Sequence, residues 1–217
     1  MINGLYGRPT VMTAFVLIGA IVSPLLAGTA DSPSPLIRLL RKNYDPSQSI
    51  ATHYALTIYW SVREKEEKRQ GNITLASGDR FCITAGDERF VSDGATYWHY
   101  TPQANQVVIK NLKEVDLSLL PSQLFARFIV SCPFKQVRSE KGVAEFKWTS
   151  DSTGAPYRSI LVKVNEKDGR IATCVMTDRN GNLFTYTFTA TTLGKKIPGR
   201  TFEFAIPKSA RIVDLRK

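Results

Sequence analysis

Histidine is almost missing from this chain of 217 residues: only His53 and His99 are present, and neither has a partner at metal-ligand spacing. GxSxG, HExxH, GxxxxGK[ST] and GxGxxG are all absent. That removes the hydrolase, zincin, P-loop and dinucleotide-binding classes that those motifs carry. The three cysteines, Cys82, Cys132 and Cys174, include no CxxC pair, and their odd number leaves at least one thiol unpaired. Cys82 and Cys174 fall inside strand patterns, where a small buried apolar side chain is expected. One disulfide among the three is compatible with the spacing. Asp79, Asp87, Asp93 and Asp168 sit beside glycine or in turns, where backbone geometry accounts for them. The chain is therefore expected to be no enzyme, with no catalytic residues, no metal and no cofactor. A repeat of solenoid period is also missing.

A single long apolar stretch is present, Val11 to Ala27, and Ser23-Pro24 interrupts it. It follows Arg8 and precedes the small residues Gly28-Thr29-Ala30, the pattern of an export signal, so residues 1–30 read as a cleaved signal peptide. No cysteine follows Leu26-Ala27-Gly28, so a lipid-anchored form is not expected. Residues 31–217 then form one mature domain, large enough for a sizeable core. The formal net charge is +10. Such an excess suits an anionic partner, and export points to a membrane surface or a protein rather than nucleic acid.

What is abundant is period-two alternation, the mark of strands with one dry face. Ile50 to Arg63 alternates most clearly, with Tyr54, Leu56, Ile58, Trp60 and Val62 on one side. The mixed run Arg63 to Arg69 reads as a solvated hairpin tip. Gly71 to Leu112 reads as an antiparallel meander, with Asp93-Gly94 as a two-residue type I′ turn. Ile73, Leu75, Phe81, Ile83, Phe90, Trp98, Val107 and Ile109 are its expected inward residues. Strands resume at Phe134–Ser139, Val143–Thr149, Tyr157–Asn165, Arg170–Asp178, Leu183–Thr189 and Arg200–Ile206. Phe146 and Trp148, and Ile160 and Val162, are among their alternating apolar sets.

Two amphipathic helices are expected. Ser34 and Pro35 start one that runs to Tyr44, with Leu36, Leu39 and Leu40 as its stripe. The other follows Leu120-Pro121 and presents Leu124, Phe125 and Phe128. About eleven antiparallel strands must curl or close. The fold class is thus mainly β (α+β): a single curled antiparallel sheet forming an incomplete β-barrel, with short helices over its concave apolar face. That face either is a filled core or lines a cavity for an apolar ligand.

The segment Phe90-Val91-Ser92-Asp93-Gly94, then Tyr97-Trp98-His99-Tyr100-Thr101-Pro102 and Gln106, resembles the "VSDGxxLWxYxPxxxQ" segment of LolA-type periplasmic lipoprotein carriers. Phe202-Glu203-Phe204 to Pro207, followed by Val213-Asp214, is similar to that family's closing motif. The resemblance implies a monomeric periplasmic carrier whose hydrophobic cavity holds the acyl chains of lipoproteins. It implies release of cargo from an inner-membrane ABC transporter and delivery toward an outer-membrane acceptor. The alternative on the same fold is a periplasmic sensor of lipid or lipoprotein. Under this resemblance the cavity wall comprises Leu56, Ile58, Trp60, Leu75, Phe81, Ile83, Phe90 and Trp98. Val107, Ile109, Leu124, Phe128, Phe146, Trp148 and Val162 complete it, and Leu36, Leu39 and Leu40 belong to the lid. The Arg-Pro pair common before the Phe81 strand is replaced here by Ala76-Ser77-Gly78-Asp79-Arg80, so no lid latch is assigned.

Overall fold

Residues 34–115 and 129–216 are described by the computed structural model. The expected signal segment, and nearly all of the second helix with Leu124 and Phe128, lie outside them. Helix α1 (Pro35–Asn43) begins where the sequence places it: the Ser34 hydroxyl accepts the Ile37 N–H at 3.3 Å, and Pro35 occupies the first turn. Its buried stripe is Ile37 and Leu40, continued by Tyr44, while Leu36 and Leu39 are only partly buried. Arg41 and Lys42 in the last turn complement the helix dipole.

Twelve strands follow: β1 (Ile50–Trp60), β2 (Lys65–Ala76), β3 (Arg80–Ala85), β4 (Glu88–Asp93), β5 (Thr96–Thr101), β6 (Gln106–Asn111), β7 (Lys135–Glu140), β8 (Val143–Thr149), β9 (Tyr157–Asn165), β10 (Ile171–Asp178), β11 (Leu183–Leu193) and β12 (Arg211–Asp214). They make one open sheet in the order β12-β6-β5-β4-β3-β2-β1-β11-β10-β9-β8-β7. All neighbours are antiparallel except β12, which lies parallel to β6. Among the described residues α1 is the one α-helix. The first and last strands of this order do not pair, so the sheet curls without closing.

Two wings meet at the long β1–β2 hairpin. In that hairpin Ile50 pairs with Leu75 and Trp60 with Lys65, so the charged run is mostly strand. The expected solvated tip is confined to residues 61–64. Alternating charges on this stretch, whose outer edge β3 does not reach, discourage pairing with foreign strands. At Gly71 the backbone of β3 comes very close to β2. A Cβ there would lie 1.8 Å from the Thr84 carbonyl oxygen, and the Tyr54 hydroxyl donates to that same oxygen at 3.0 Å. Only glycine permits so close an approach.

Two turns depart from the sequence reading. At Asp93-Gly94 only Gly94 has positive φ, so the turn is not type I′. Asp93 acts through its carboxylate instead, accepting the Ala95 and Thr96 N–H groups at 2.8 and 2.7 Å. The expected strand Arg200–Ile206 is a strap rather than a strand. Pro198 leads into a 3-10 turn at Gly199–Phe202, and the closing strand forms later, at β12. The physical reason is burial: Phe202 is 1% exposed on the convex side of the meander, with the Arg80 guanidinium 5.3 Å from its ring centroid. Phe204 takes Arg89 over its ring and packs 6.0 Å from Tyr100.

Candidate apolar binding face

Cross-strand register decides which side chains share the concave face, because directly paired residues point the same way. On β1 that face is Thr52, Tyr54, Leu56 and Ile58, all buried, ending at the half-buried Trp60. One wing continues it through Ile73 and Leu75 of β2, Phe81 and Ile83 of β3, Phe90 of β4 and Tyr97 of β5. The other continues it through Phe184, Tyr186 and Phe188 of β11, then Cys174 and Met176, then Ile160, Val162 and Val164, then Ala144, Phe146 and Trp148. These residues join Ile37, Leu40 and Tyr44 of the α1 region, with Ile129, Cys132 and Phe134, in one apolar cluster.

Of the expected wall residues, the structure brings together Leu56, Ile58, Trp60, Leu75, Phe81, Ile83, Phe90, Phe146, Trp148 and Val162. It does not place Trp98, Val107 and Ile109 with them. Val91 pairs with Trp98, Trp98 with Ile109, and Tyr100 with Val107, whereas the concave Phe90 pairs with His99. Trp98, Val107 and Ile109 therefore belong to the convex face, on the side where Phe202 and Phe204 meet Arg80, Arg89 and Tyr100. They are expected inward from alternation alone; the register puts them outside. Tyr97, Tyr186 and Met176, absent from the expected wall, share the concave face with the residues brought together there. Their signal was available as the cross-strand partners of residues that alternation did identify.

At the β1–β2 turn end the face finishes in half-buried aromatics. Trp60 and Tyr157 each meet Phe184 edge-on with ring centroids 6.1 Å apart. The Trp60 indole N–H donates to Glu67 at 3.3 Å, and Glu67 also accepts from Arg69 Nε at 2.6 Å. Those bonds hold the Glu67 carboxyl below the usual carboxylate range, with Arg69 the larger cause. On the meander wing His99 stacks on Phe90 at 4.4 Å and meets the Glu88 carboxylate at 2.7 Å. His53 is exposed on the opposite face. Among the described residues no group of three His, Cys, Asp or Glu side chains is placed to hold a metal ion, and no helix is long and apolar enough to cross a membrane. All three cysteines are free; Cys174 is fully buried, and burial pushes its thiol up.

Helix α1 covers the face near the β9–β10 turn and is fixed there by specific contacts. The Tyr44 hydroxyl accepts the Ile171 N–H at 2.9 Å, and Asn43 Nδ2 donates to the Asp168 carbonyl at 2.8 Å. Gly169, at φ +67°, lets the helix come close: a Cβ there would fall 2.8 Å from Leu39 Cγ. Burial raises the Tyr44 phenol to about 12. Of the three expected lid residues, Leu40 is in the core, whereas Leu36 and Leu39 line a shallow depression shared with Gln136 and Glu166.

Residues 58–205 match the family model of the outer membrane lipoprotein carrier protein LolA. Over 208 residues the chain is 25% identical to an outer-membrane lipoprotein carrier protein of Shewanella woodyi, covering 94% of this chain and 96% of that protein. Among solved structures, an uncharacterized conserved protein of Thermus thermophilus superposes with a TM-score of 0.52 at 15% identity, over 82% of this chain and 96% of that one. This likeness bears on the fold alone. A LolA superfamily protein of Nitrosomonas europaea aligns with a TM-score of 0.45 at 12% identity, over 78% of this chain and 96% of that one.

Proposed function

Because the chain belongs to the LolA family of outer membrane lipoprotein carrier proteins, we propose that its concave face shelters the acyl chains of lipoproteins and shuttles them from the inner to the outer membrane. The observation that supports this most is the single apolar cluster. It runs across both wings and ends in the half-buried ring of Trp60, Trp148, Tyr157 and Phe184. A buried methylene is worth about 0.8 kcal/mol, so acyl chains crossing an aqueous compartment need such a shelter. No covalent step is needed, and this reading assigns none.

In this reading residues 1–30 direct export and are removed, and residues 31–217 act in the periplasm as one domain. Cargo arrives from an inner-membrane ABC transporter and leaves to an outer-membrane acceptor. The excess of positive charge suits anionic surfaces on these partners. Loading separates what covers the concave face. The Asn43 and Tyr44 bonds make the C-terminal end of α1 the fixed end, so the displaced part is the end that carries Leu36 and Leu39.

The test is mass spectrometry of the protein purified from its own periplasm. Co-purified triacylated lipoprotein is the expected result. Free lipid without lipoprotein, or an unliganded protein that takes up no lipoprotein from the purified transporter, would overturn the carrier assignment.

A further inference from the structure

One row of the concave face carries polar groups into the apolar cluster. Across the sheet at Leu56 the registered partners run Arg69, Leu56, Tyr186, Cys174, Val162 and Phe146. Tyr186 is 6% exposed, and among the described residues its hydroxyl has no hydrogen-bond partner. The neighbouring tyrosines differ: Tyr54 donates to the Thr84 carbonyl, and Tyr44 accepts from Ile171. A buried hydroxyl left unpaired destabilises the fold, so its presence calls for a partner that the described residues do not supply. Tyr97 is also buried and unpartnered among the described residues, but its row runs through Ser92 and Phe81, whereas the row of Tyr186 is the one that Arg69 joins through Leu56. A buried donor on a row that ends in a cation suits a ligand with an oxygen acceptor next to a polar head.

The row's first two members also border an open notch. Leu56 and Arg69 line a notch of about 590 Å³ between the β1–β2 hairpin and the β3–β4 turn, which Gln70, Asp87 and Glu88 make polar. The guanidinium is steadied there by Glu67 at 2.6 Å. A molecule lying along the row would have its apolar part over Cys174, Val162 and Phe146. Its polar head would sit at Arg69, and the joint between the two would fall at Tyr186.

We propose that the Tyr186 hydroxyl donates a hydrogen bond to the ester carbonyl at the head of a bound acyl chain, with Arg69 holding the polar head at the notch. The proposal rests on the acyl-carrier reading and deepens it: it makes the protein selective for acyl esters over alkyl ethers. A purely packing role for Tyr186 makes the opposite prediction. Its ring lies 6.0 Å from Phe188 at 5° and 5.8 Å from Tyr54, and phenylalanine would keep both contacts.

The experiment measures binding of two synthetic glyceryl-cysteine lipopeptides with two chains of equal length, one ester-linked and one ether-linked, to the wild-type protein and to Tyr186→Phe. The wild type is expected to prefer the ester by about tenfold, the worth of one good hydrogen bond. Tyr186→Phe is expected to bind both with the affinity of the ether, at a thermal midpoint equal to or above that of the wild type. Arg69→Gln should weaken both probes while keeping the ester preference. Equal binding of the two probes by the wild type, or an ester preference that survives Tyr186→Phe, would overturn the proposal and leave the carrier reading standing. Failure of the wild type to bind either probe would overturn both.

Discussion

From β3 to β6 the sheet is buried on both sides; from β8 to β11 it is buried on one. In the meander wing Phe81 and Ile83 face the concave core, while Val91, Val107 and Ile109 are as deeply buried on the convex side, where the Phe202 strap lies. In the other wing Phe146, Ile160, Val162 and Cys174 face the core, but their convex neighbours, such as Thr173, Val175 and Thr187, are half-buried or exposed. A sheet packed on two faces is stiff. One packed on a single face can change its curvature more readily. The difference predicts a division of labour: the clamped wing is expected to hold the shape, and the single-sided wing, with α1 on it, to adapt when the concave face takes up a ligand.

The largest effect is expected at the joint between the wings. Gly71→Ala places a Cβ 1.8 Å from the Thr84 carbonyl oxygen, against backbone that cannot yield easily. A loss of about 5 kcal/mol or more is expected in urea unfolding, because the clash is with backbone. A loss below about 1 kcal/mol would mean that the close approach at Gly71 does not require glycine. Next come paired truncations, one in each wing. Phe202→Ala and Phe146→Ala remove rings that are 1% and 0% exposed, and each should cost about 3–5 kcal/mol. Acyl-probe affinity separates them: unchanged for folded Phe202→Ala, reduced for Phe146→Ala. Equal loss of affinity in both would break the division.

Alkaline titration tests the buried phenols on both wings. Burial raises Tyr44, Tyr54 and Tyr97 from about 10 to about 12. The fold favours the neutral phenol, so this contribution is intact below about pH 10 and is lost as pH rises through about 12. The urea midpoint should fall over that window, and less steeply in Tyr44→Phe, which itself costs about 1 kcal/mol by leaving the Ile171 N–H unpaired. A flat midpoint contradicts the buried neutral tyrosines. The smallest effect belongs to the hairpin. Glu66→Ala removes an exposed partner of Lys68 and should change stability by less than about 0.5 kcal/mol. A larger loss would show that this edge is structurally engaged.

Most of the architecture was legible in the sequence. Alternation located β1 and the β8–β11 wing because there one face is wet, and period two then reports burial directly. Ser34-Pro35 announced α1 by its cap. Alternation fails where both faces are dry. In Phe90-Val91-Ser92 and Tyr97-Trp98 the buried set cannot be sorted into concave and convex without register. Likewise Phe202-x-Phe204 has strand periodicity, but its rings sit against the convex face rather than in a ladder, which only the packing of Arg80 and Arg89 reveals. Gly71 gave no signal of its own, since its role depends on where Thr84 lies. The charge run resisted reading because edge strands carry charge for the same reason that hairpin tips do.

The three tryptophans of this chain provide the most direct test, because Trp60 and Trp148 belong to the concave face and Trp98 to the convex one. In variants that keep one tryptophan and replace the other two by phenylalanine, fluorescence is recorded with a diacyl lipopeptide brominated along its chains. Quenching of Trp60 and Trp148 without quenching of Trp98 is the result predicted here. Quenching of Trp98 as strong as that of the other two, or no quenching of any of them by a bound lipopeptide, would contradict acyl-chain binding on the concave face.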